Sequence, residues 1–222
     1  MATSQRIAFF DVDETLITCK SMFGFLEHHL DTECYEQTTA RLRELTAAGA
    51  PRELTNREYY RAFAGDRVAD VAASGQRWFD AAGQGLFHPP MVAEFRRCQA
   101  EGVTTVLVSG SLAACLDPIA THLGADLVLC TVLESRGEVY TGEITATVIG
   151  EGKAAAVRLI MAERGADPTR CLAFGDHASD LPMLSEVGTA VVVGADPVLL
   201  APAEHLGWRV LPAPVSLAAV SR

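Results

Sequence analysis

The sequence predicts an α/β protein, a parallel sheet with helices on both faces and a block of helices inserted after the first strand. Two patterns carry this. Short β-branched or apolar runs bounded by Gly, Asp or Ser alternate with stretches of helical spacing, and strands joined by helical crossovers lie parallel. Between the first run and the second the β pattern disappears, and large apolar residues recur at helical spacing instead. At 222 residues the chain suffices for one such domain with an insertion, or for two small domains sharing a hinge.

The first strand is Ile7–Phe10, a continuous apolar run of the kind buried on both faces. It runs into Asp11-Val12-Asp13-Glu14-Thr15-Leu16. On an extended chain Asp11 and Asp13 point to the same side, close enough to share one metal ion or one reacting group. A solvated acidic turn is the bland alternative.

The inserted block follows. Phe23, Leu26 and Leu30, then Leu42 and Leu45, then Phe63, Val68, Val71 and Trp78 mark helices, with turns at Gly49-Ala50-Pro51 and Ala64-Gly65-Asp66. Phe87-His88-Pro89-Pro90 closes the block, which gives a core of residues 1–16 and 88–222 and an insertion of 17–87. His28-His29 in this block reads as a solvated helix face, because adjacent helical residues diverge in direction. Met22, Phe23, Phe25, Arg57, Tyr59 and Tyr60 are candidate pocket residues, although aromatics at helical spacing are more often core.

The sheet resumes with Val103–Val108, and Ser109-Gly110-Ser111 opens a helical stretch through Leu123, where a hydroxyl and exposed N–H groups suit a phosphate or simply cap the helix. Leu127–Cys130 is the next strand, and Glu134–Gly142 reads as a hairpin. Gly150-Glu151-Gly152-Lys153 begins another helix, in which a lone Lys is ordinarily solvated. Strand Cys171–Phe174 leads into Gly175-Asp176-His177-Ala178-Ser179-Asp180, whose acids also suit a helix N-terminus. Thr189–Val193 is the last strand expected. The ends read as loose, with Pro212 and Pro214 in the tail and no anchor pattern.

Composition narrows the function. With 49% hydrophobic and 21% charged residues and no low-complexity stretch, the chain folds throughout. A net charge of −10 disfavours nucleic acid and anionic membranes as partners, so an anionic ligand needs local positive charge. Six scattered cysteines without a Cys-x-x-Cys pair fit reduced, mostly buried thiols. No signal-peptide core or membrane-length apolar run is present, and a cytoplasmic location is expected.

Each polar group above stands at a strand's C-terminal end or opens the helix after it. In such sheets ligands bind beyond those ends. Two pairs of acids, a Ser-Gly anion nest and one Lys are what Mg²⁺-assisted phosphoryl transfer requires: Mg²⁺ takes hard oxygen ligands and retains waters, and the Lys offsets remaining negative charge.

These segments resemble the four motifs of the haloacid dehalogenase superfamily phosphatases, in the subfamily (IB) that includes phosphoserine phosphatases. Asp11 to Leu16 resembles the first motif, Val108-Ser109-Gly110-Ser111 the second, Lys153 the third, and Gly175-Asp176-His177-Ala178-Ser179-Asp180 the fourth. The resemblance implies a Rossmann-like three-layer core with a helical, C1-type cap over the site. It also implies roles: Asp11 as nucleophile forming an aspartyl-phosphate, Asp13 as general acid and base, Ser109 and Gly110 on the phosphoryl oxygens, and Lys153 stabilising their charge. Asp11, Asp176 and the Asp13 carbonyl would hold Mg²⁺, with Asp180 orienting Lys153 or a metal-bound water. His177 occupies a variable position and is given a minor positioning role.

The expected activity is hydrolysis of a small-molecule phosphate ester. Phosphoserine phosphatases of this type carry a Glu nine positions after the nucleophile, where this chain has Lys20. A cation there repels the substrate ammonium and favours a second anionic or hydroxyl-rich group, so phosphoserine is expected to be a poor substrate. Phosphoserine phosphatase activity remains an alternative, as does action on a protein, since Asp-x-Asp-Glu-Thr-Leu also resembles phosphatases of protein tails. Phosphotransfer to another hydroxyl, loss of turnover in a phospholigand sensor, and carbon–halogen hydrolysis are less favoured, the last because it needs neither Asp13 nor Asp176.

Overall fold

A computed structural model describes residues 5–214. The ends are expected to be loose, and residues 1–4 and 215–222 lie outside the described residues. The elements in order are β1 (Ile7–Phe10), α1 (Ser21–His29), α2 (Thr32–Ala47), α3 (Arg52–Arg61), α4 (Val68–Ala82), α5 (Pro89–Ala100), β2 (Thr104–Leu112), α6 (Ala113–Leu123), β3 (Leu127–Arg136), β4 (Val139–Ala146), α7 (Glu151–Glu163), β5 (Leu172–Gly175), α8 (Leu181–Leu184), β6 (Thr189–Val193), α9 (Pro197–Leu206) and β7 (Arg209–Leu211).

The strands form one sheet in the order β4-β3-β2-β1-β5-β6-β7, parallel except for β4 at one edge. Its interior is the two-sided burial that Ile7–Phe10 promised. Ala8, Phe10, Leu107 and Phe174 face one apolar cluster, and Ile7, Phe9, Val106, Val108 and Ala173 face another. Alternate residues thus supply a core on each side, which makes three layers. Phe10 stacks on Phe174 across the β1–β5 pair with ring centroids 4.3 Å apart.

β1 is central, with β2 on one side and β5 on the other. The chain reverses its direction of travel through the sheet there, which opens a crevice at the C-terminal end of β1. Ser109, Asp11 and Asp176 are the groups delivered to it.

α1 to α4 lie between β1 and β2, where helical spacing placed them. Two passes of chain connect them to the sheet: an antiparallel bridge pairs Ile17 with Phe87, and His88 N–H donates to the Leu16 carbonyl at 2.9 Å. A second clasp joins the end of α3 to the edge hairpin, where Gly65 N–H donates to the Tyr140 carbonyl and Val68 N–H to the Glu138 carbonyl, each at 2.9 Å. α4 packs on α6, and α1 on α4.

Several expectations change. The hairpin at 134–142 is larger, because β3 is the strand at Leu127 carried through to Arg136 and β4 runs to Ala146. The segment after Trp208 contributes β7, three residues pairing with β6, too short to show an alternating pattern. His29 is not on a solvated face: its side chain is 12% exposed, lies between Phe25 and Phe63, and meets Asp66 at 2.9 Å. All six cysteines are free, and Cys98, Cys115 and Cys171 are buried. No helix among the described residues is long and apolar enough to cross a membrane.

Candidate active site

The crevice at the end of β1 opens into a cavity of about 450 Å³ whose lining includes Asp11, Asp13, Ser109, Gly110, Lys153, Asp176 and Asp180. Every core-motif residue singled out in the sequence is therefore in one place. The reasons are not all those anticipated.

Asp11 continues the β1–β5 ladder by one bond, its N–H donating to the Phe174 carbonyl at 2.9 Å, which fixes the residue at the C-terminal end of the central strand. The strand ends there. Residues 12–17 fold into a turn closed by the Ile17 N–H donating to the Val12 carbonyl at 3.0 Å, in which Asp13 is extended and Glu14 takes φ of 60°, the one non-glycine in the left-handed region among the described residues. Strand alternation therefore does not bring Asp13 beside Asp11; this turn does. Asp13 then accepts a 3.0 Å hydrogen bond from the Ser21 N–H at the start of α1.

Ser109-Gly110-Ser111 does not open a helix either. It is the bulged end of β2, where pairing with β3 slips between Ser109 and Leu112, and α6 begins only at Ala113. The bulge re-aims the side chains beside the crevice. Ser109 Oγ accepts from the Ser111 N–H at 3.1 Å, which leaves its hydroxyl proton for a ligand oxygen. Gly110 cannot be replaced cheaply, since a Cβ would stand 2.7 Å from Ile149 Cγ1. Its carbonyl accepts from Tyr60 Oη at 2.6 Å, Thr131 Oγ1 at 2.9 Å and Asn56 Nδ2 at 3.4 Å.

Lys153 is 3% exposed, not solvated. It enters from the first turn of α7, which approaches closely because a Cβ on Gly152 would lie 2.3 Å from the Thr147 carbonyl oxygen. Its Nζ donates to Asp11 and, at 2.6 Å, to Asp180 Oδ1. Asp180 spends its other oxygen on the N–H groups of Asp176 and His177, both at 3.1 Å. The Asp176 carboxyl receives a hydrogen bond from Thr15 Oγ1 at 3.3 Å.

The electrostatics show a shortage of positive charge. Burial, together with Asp180 and Asp176, pushes the Asp11 carboxyl well above the usual carboxylate range against the pull of Lys153. Burial and the neighbouring Asp180 raise Asp176 to about 6. Asp13 is raised by burial, opposed by its bonds to Ser21. Lys153 goes the other way: burial opposes its charge, but Asp11 and Asp180 hold the ammonium protonated more firmly than usual. Carboxylate oxygens of Asp11, Asp176 and Asp180 all lie within 4.8 Å of one another. An all-oxygen cluster carrying excess negative charge fits a hard divalent cation.

The α1–α3 side of the cavity is less legible from sequence. Lys20 does line it, half exposed, but pairs with Glu14 at 3.4 Å. Met22, Phe23, Asn56 and Arg52 line it too, whereas Phe25, Tyr59 and Tyr60 are buried in the aromatic core of the inserted helices. Arg52, not singled out by any sequence pattern, reaches across 125 positions to His177 Nδ1 at 3.0 Å. Burial and the Arg52 charge lower the His177 pKa, and Nδ1 also receives the Ser179 N–H at 3.0 Å. Neutral His177 thereby anchors α3 over the cavity. Asn56 is 7% exposed, and its Oδ1 is buried without a hydrogen-bond partner among the described residues. Such an atom needs a donor from whatever enters.

Residues 8–185 match the haloacid dehalogenase-like hydrolase family. A protein of Mycobacterium tuberculosis named a probable phosphatase is 40% identical over 129 residues, 57% of this chain, and the chain spans only 44% of that relative's length. The phosphoserine phosphatase SerB1 of the same organism is 30% identical over 213 residues, covering 91% of this chain and 69% of that one. Among solved structures, a Bordetella pertussis protein of unknown function superposes with a TM-score of 0.84 at 24% identity, covering 94% of this chain and 99% of that one. A substrate-bound phosphoserine phosphatase gives 0.69 at 16% identity, over 98% and 97% of the two chains. These two share the fold.

Proposed function

Since the chain belongs to the haloacid dehalogenase-like hydrolase family, we propose that it is a phosphoric monoester hydrolase acting on a small-molecule phosphate ester through an aspartyl-phosphate on Asp11. The observation that carries this reading is the convergence of Asp11, Asp13, Ser109, Lys153 and Asp176 on one cavity.

Asp11 attacks phosphorus in line with the leaving oxygen, forming the Asp11–phosphorus bond as the ester bond breaks. Asp13, whose carboxyl holds its proton more firmly than usual because it is buried, gives that proton to the leaving alkoxide. Its carboxylate then takes a proton from water as the water attacks phosphorus, releasing phosphate and regenerating Asp11. Ser109 Oγ and the Gly110 N–H grip the phosphoryl oxygens, and Lys153 balances charge on them and on Asp11. Asp180 keeps Lys153 in place.

Asp11, Asp176 and, by the resemblance, the Asp13 carbonyl would hold Mg²⁺, which would supply the positive charge the cluster lacks and offset charge on the transferring phosphoryl group. Helices within residues 17–87 would act as a cap, and a cavity walled by Phe23, Arg52 and Asn56 suits a small ester better than a protein side chain.

Phosphoserine is the second reading, favoured by the name of SerB1. Against it, Lys20 and Arg52 line the cavity while the carboxylate nearest Lys20, Glu14, is already paired with it. Release of p-nitrophenol from p-nitrophenyl phosphate tests the class: it should require Mg²⁺ and stop on chelation, and hydrolysis indifferent to chelator would refute the cation assignment. A panel of phosphorylated metabolites, phosphoserine included, then tests the substrate, with phosphoserine expected among the slowest.

A further inference from the structure

We propose that the leaving group of the substrate is an alcohol bearing an apolar chain, and that this chain lies in a groove formed by α1, α2 and α3. The proposal deepens the phosphomonoesterase reading and rests on it. The groove measures about 530 Å³, and its walls include Phe23, Tyr35, Thr39, Leu42 and Ala47. It borders the catalytic cavity, and Phe23, Leu42, Thr46 and Thr55 line both.

Its chemistry is apolar for identifiable reasons. Tyr35, Thr39, Leu42 and Thr46 follow the four–three–four spacing that puts residues on one face of α2. The threonine hydroxyls are spent on backbone carbonyls, Thr39 donating to Tyr35 and Thr46 to Leu42, each at 2.9 Å, and Thr55 to Pro51 at 3.5 Å. Their methyl groups remain to line the groove. Phe23, on the wall common to both spaces, is 45% exposed, an aromatic surface that an apolar chain would cover. Arg43 is the one charged side chain on the groove's walls among the described residues, so a cationic leaving group has no counter-ion there.

A second copy of this chain is the other conceivable occupant. The groove shares four lining residues with the cavity that holds Asp11, whereas a stable dimer needs on the order of 800 Å² of surface per partner.

The test uses straight-chain alkyl phosphates from ethyl to octyl, kept below micelle formation, with Mg²⁺ and the wild-type protein. Burial of methylenes predicts that kcat/KM rises about two- to fourfold per carbon until the groove is filled. Ala47→Trp is the companion variant: Ala47 is an exposed residue in the last turn of α2 that lines the groove but not the catalytic cavity. It should cut the octyl-to-butyl ratio of kcat/KM by about tenfold. A flat chain-length series, or a ratio unchanged by Ala47→Trp, overturns the groove while leaving the hydrolase intact. Concentration-dependent dimerisation that Ala47→Trp abolishes, with the ratio unmoved, assigns the groove to a second copy and also overturns it. No phosphate release from any ester, p-nitrophenyl phosphate included, brings down the hydrolase reading and this proposal together.

Discussion

Asp180 Oδ1 lies 2.6 Å from Lys153 Nζ, and the same ammonium reaches Asp11, so one buried carboxylate fixes the cation that faces the candidate nucleophile. Asp180 is itself held by two N–H groups from the loop that carries Asp176. The three motifs are thus one hydrogen-bonded unit.

Asp180→Asn removes the charge from that unit. Leaving part of a buried ion network unmatched should cost about 2–3 kcal/mol of stability, read by urea unfolding. kcat should fall at least about 100-fold while the circular dichroism spectrum is unchanged. A kcat within twofold of wild type would show that Lys153 needs no such anchor.

Asp13→Asn separates acid catalysis from the rest. Nitrophenolate leaves without a proton and an alkoxide does not, so kcat should fall about 10³-fold for an alkyl phosphate and much less for p-nitrophenyl phosphate. Equal losses for both esters would take the proton away from Asp13.

The carboxylate cluster predicts how the metal-free protein responds to pH. Asp176 has a folded pKa of about 6 against an unfolded 3.8. The folded state therefore binds more protons between those values, and stability declines as pH rises from about 4 through 6. Metal-free protein should melt about 2–6 °C higher at pH 5 than at pH 7.5, with millimolar Mg²⁺ restoring the difference at pH 7.5. Asp176→Asn should flatten both responses. Melting that rises steadily from pH 5 to 7.5 without metal would contradict the charge shortage.

Lys20→Glu tests which charge the cavity presents to the leaving group. It replaces a cation beside Glu14 with a second carboxylate, and kcat/KM for phosphoserine should rise about tenfold or more while that for uncharged alkyl phosphates changes little. No gain for phosphoserine would mean that Lys20 does not face the ester.

The sheet was legible because β1, β2, β5 and β6 are largely buried on both faces and so appear as short apolar or β-branched runs, with β1 and β6 found to the residue. β7 was not, because three residues carry no period. At the site, Asp11, Ser109, Lys153 and Asp176 were legible as polar groups that end apolar runs or open the next helix. The burial of Lys153 was not, since nothing local distinguishes it from a solvated first-turn lysine. Arg52 and Asn56 escaped notice for a related reason: they sit on a helix whose placement depends on contacts distant in sequence, Arg52 with His177 and Tyr60 with the Gly110 carbonyl. Tyr60 shows how a residue can be both, its ring in the aromatic core and its hydroxyl on the Gly110 carbonyl.

The central claim is that Asp11 is the group that becomes phosphorylated. Turnover of p-nitrophenyl phosphate with Mg²⁺ by Asp11→Asn, compared with wild type and with circular dichroism confirming the fold, tests it most directly. The account predicts a loss of at least about 10⁴-fold with no change in fold, because the amide lacks the charged oxygen that attacks phosphorus. Near wild-type turnover by Asp11→Asn would contradict it.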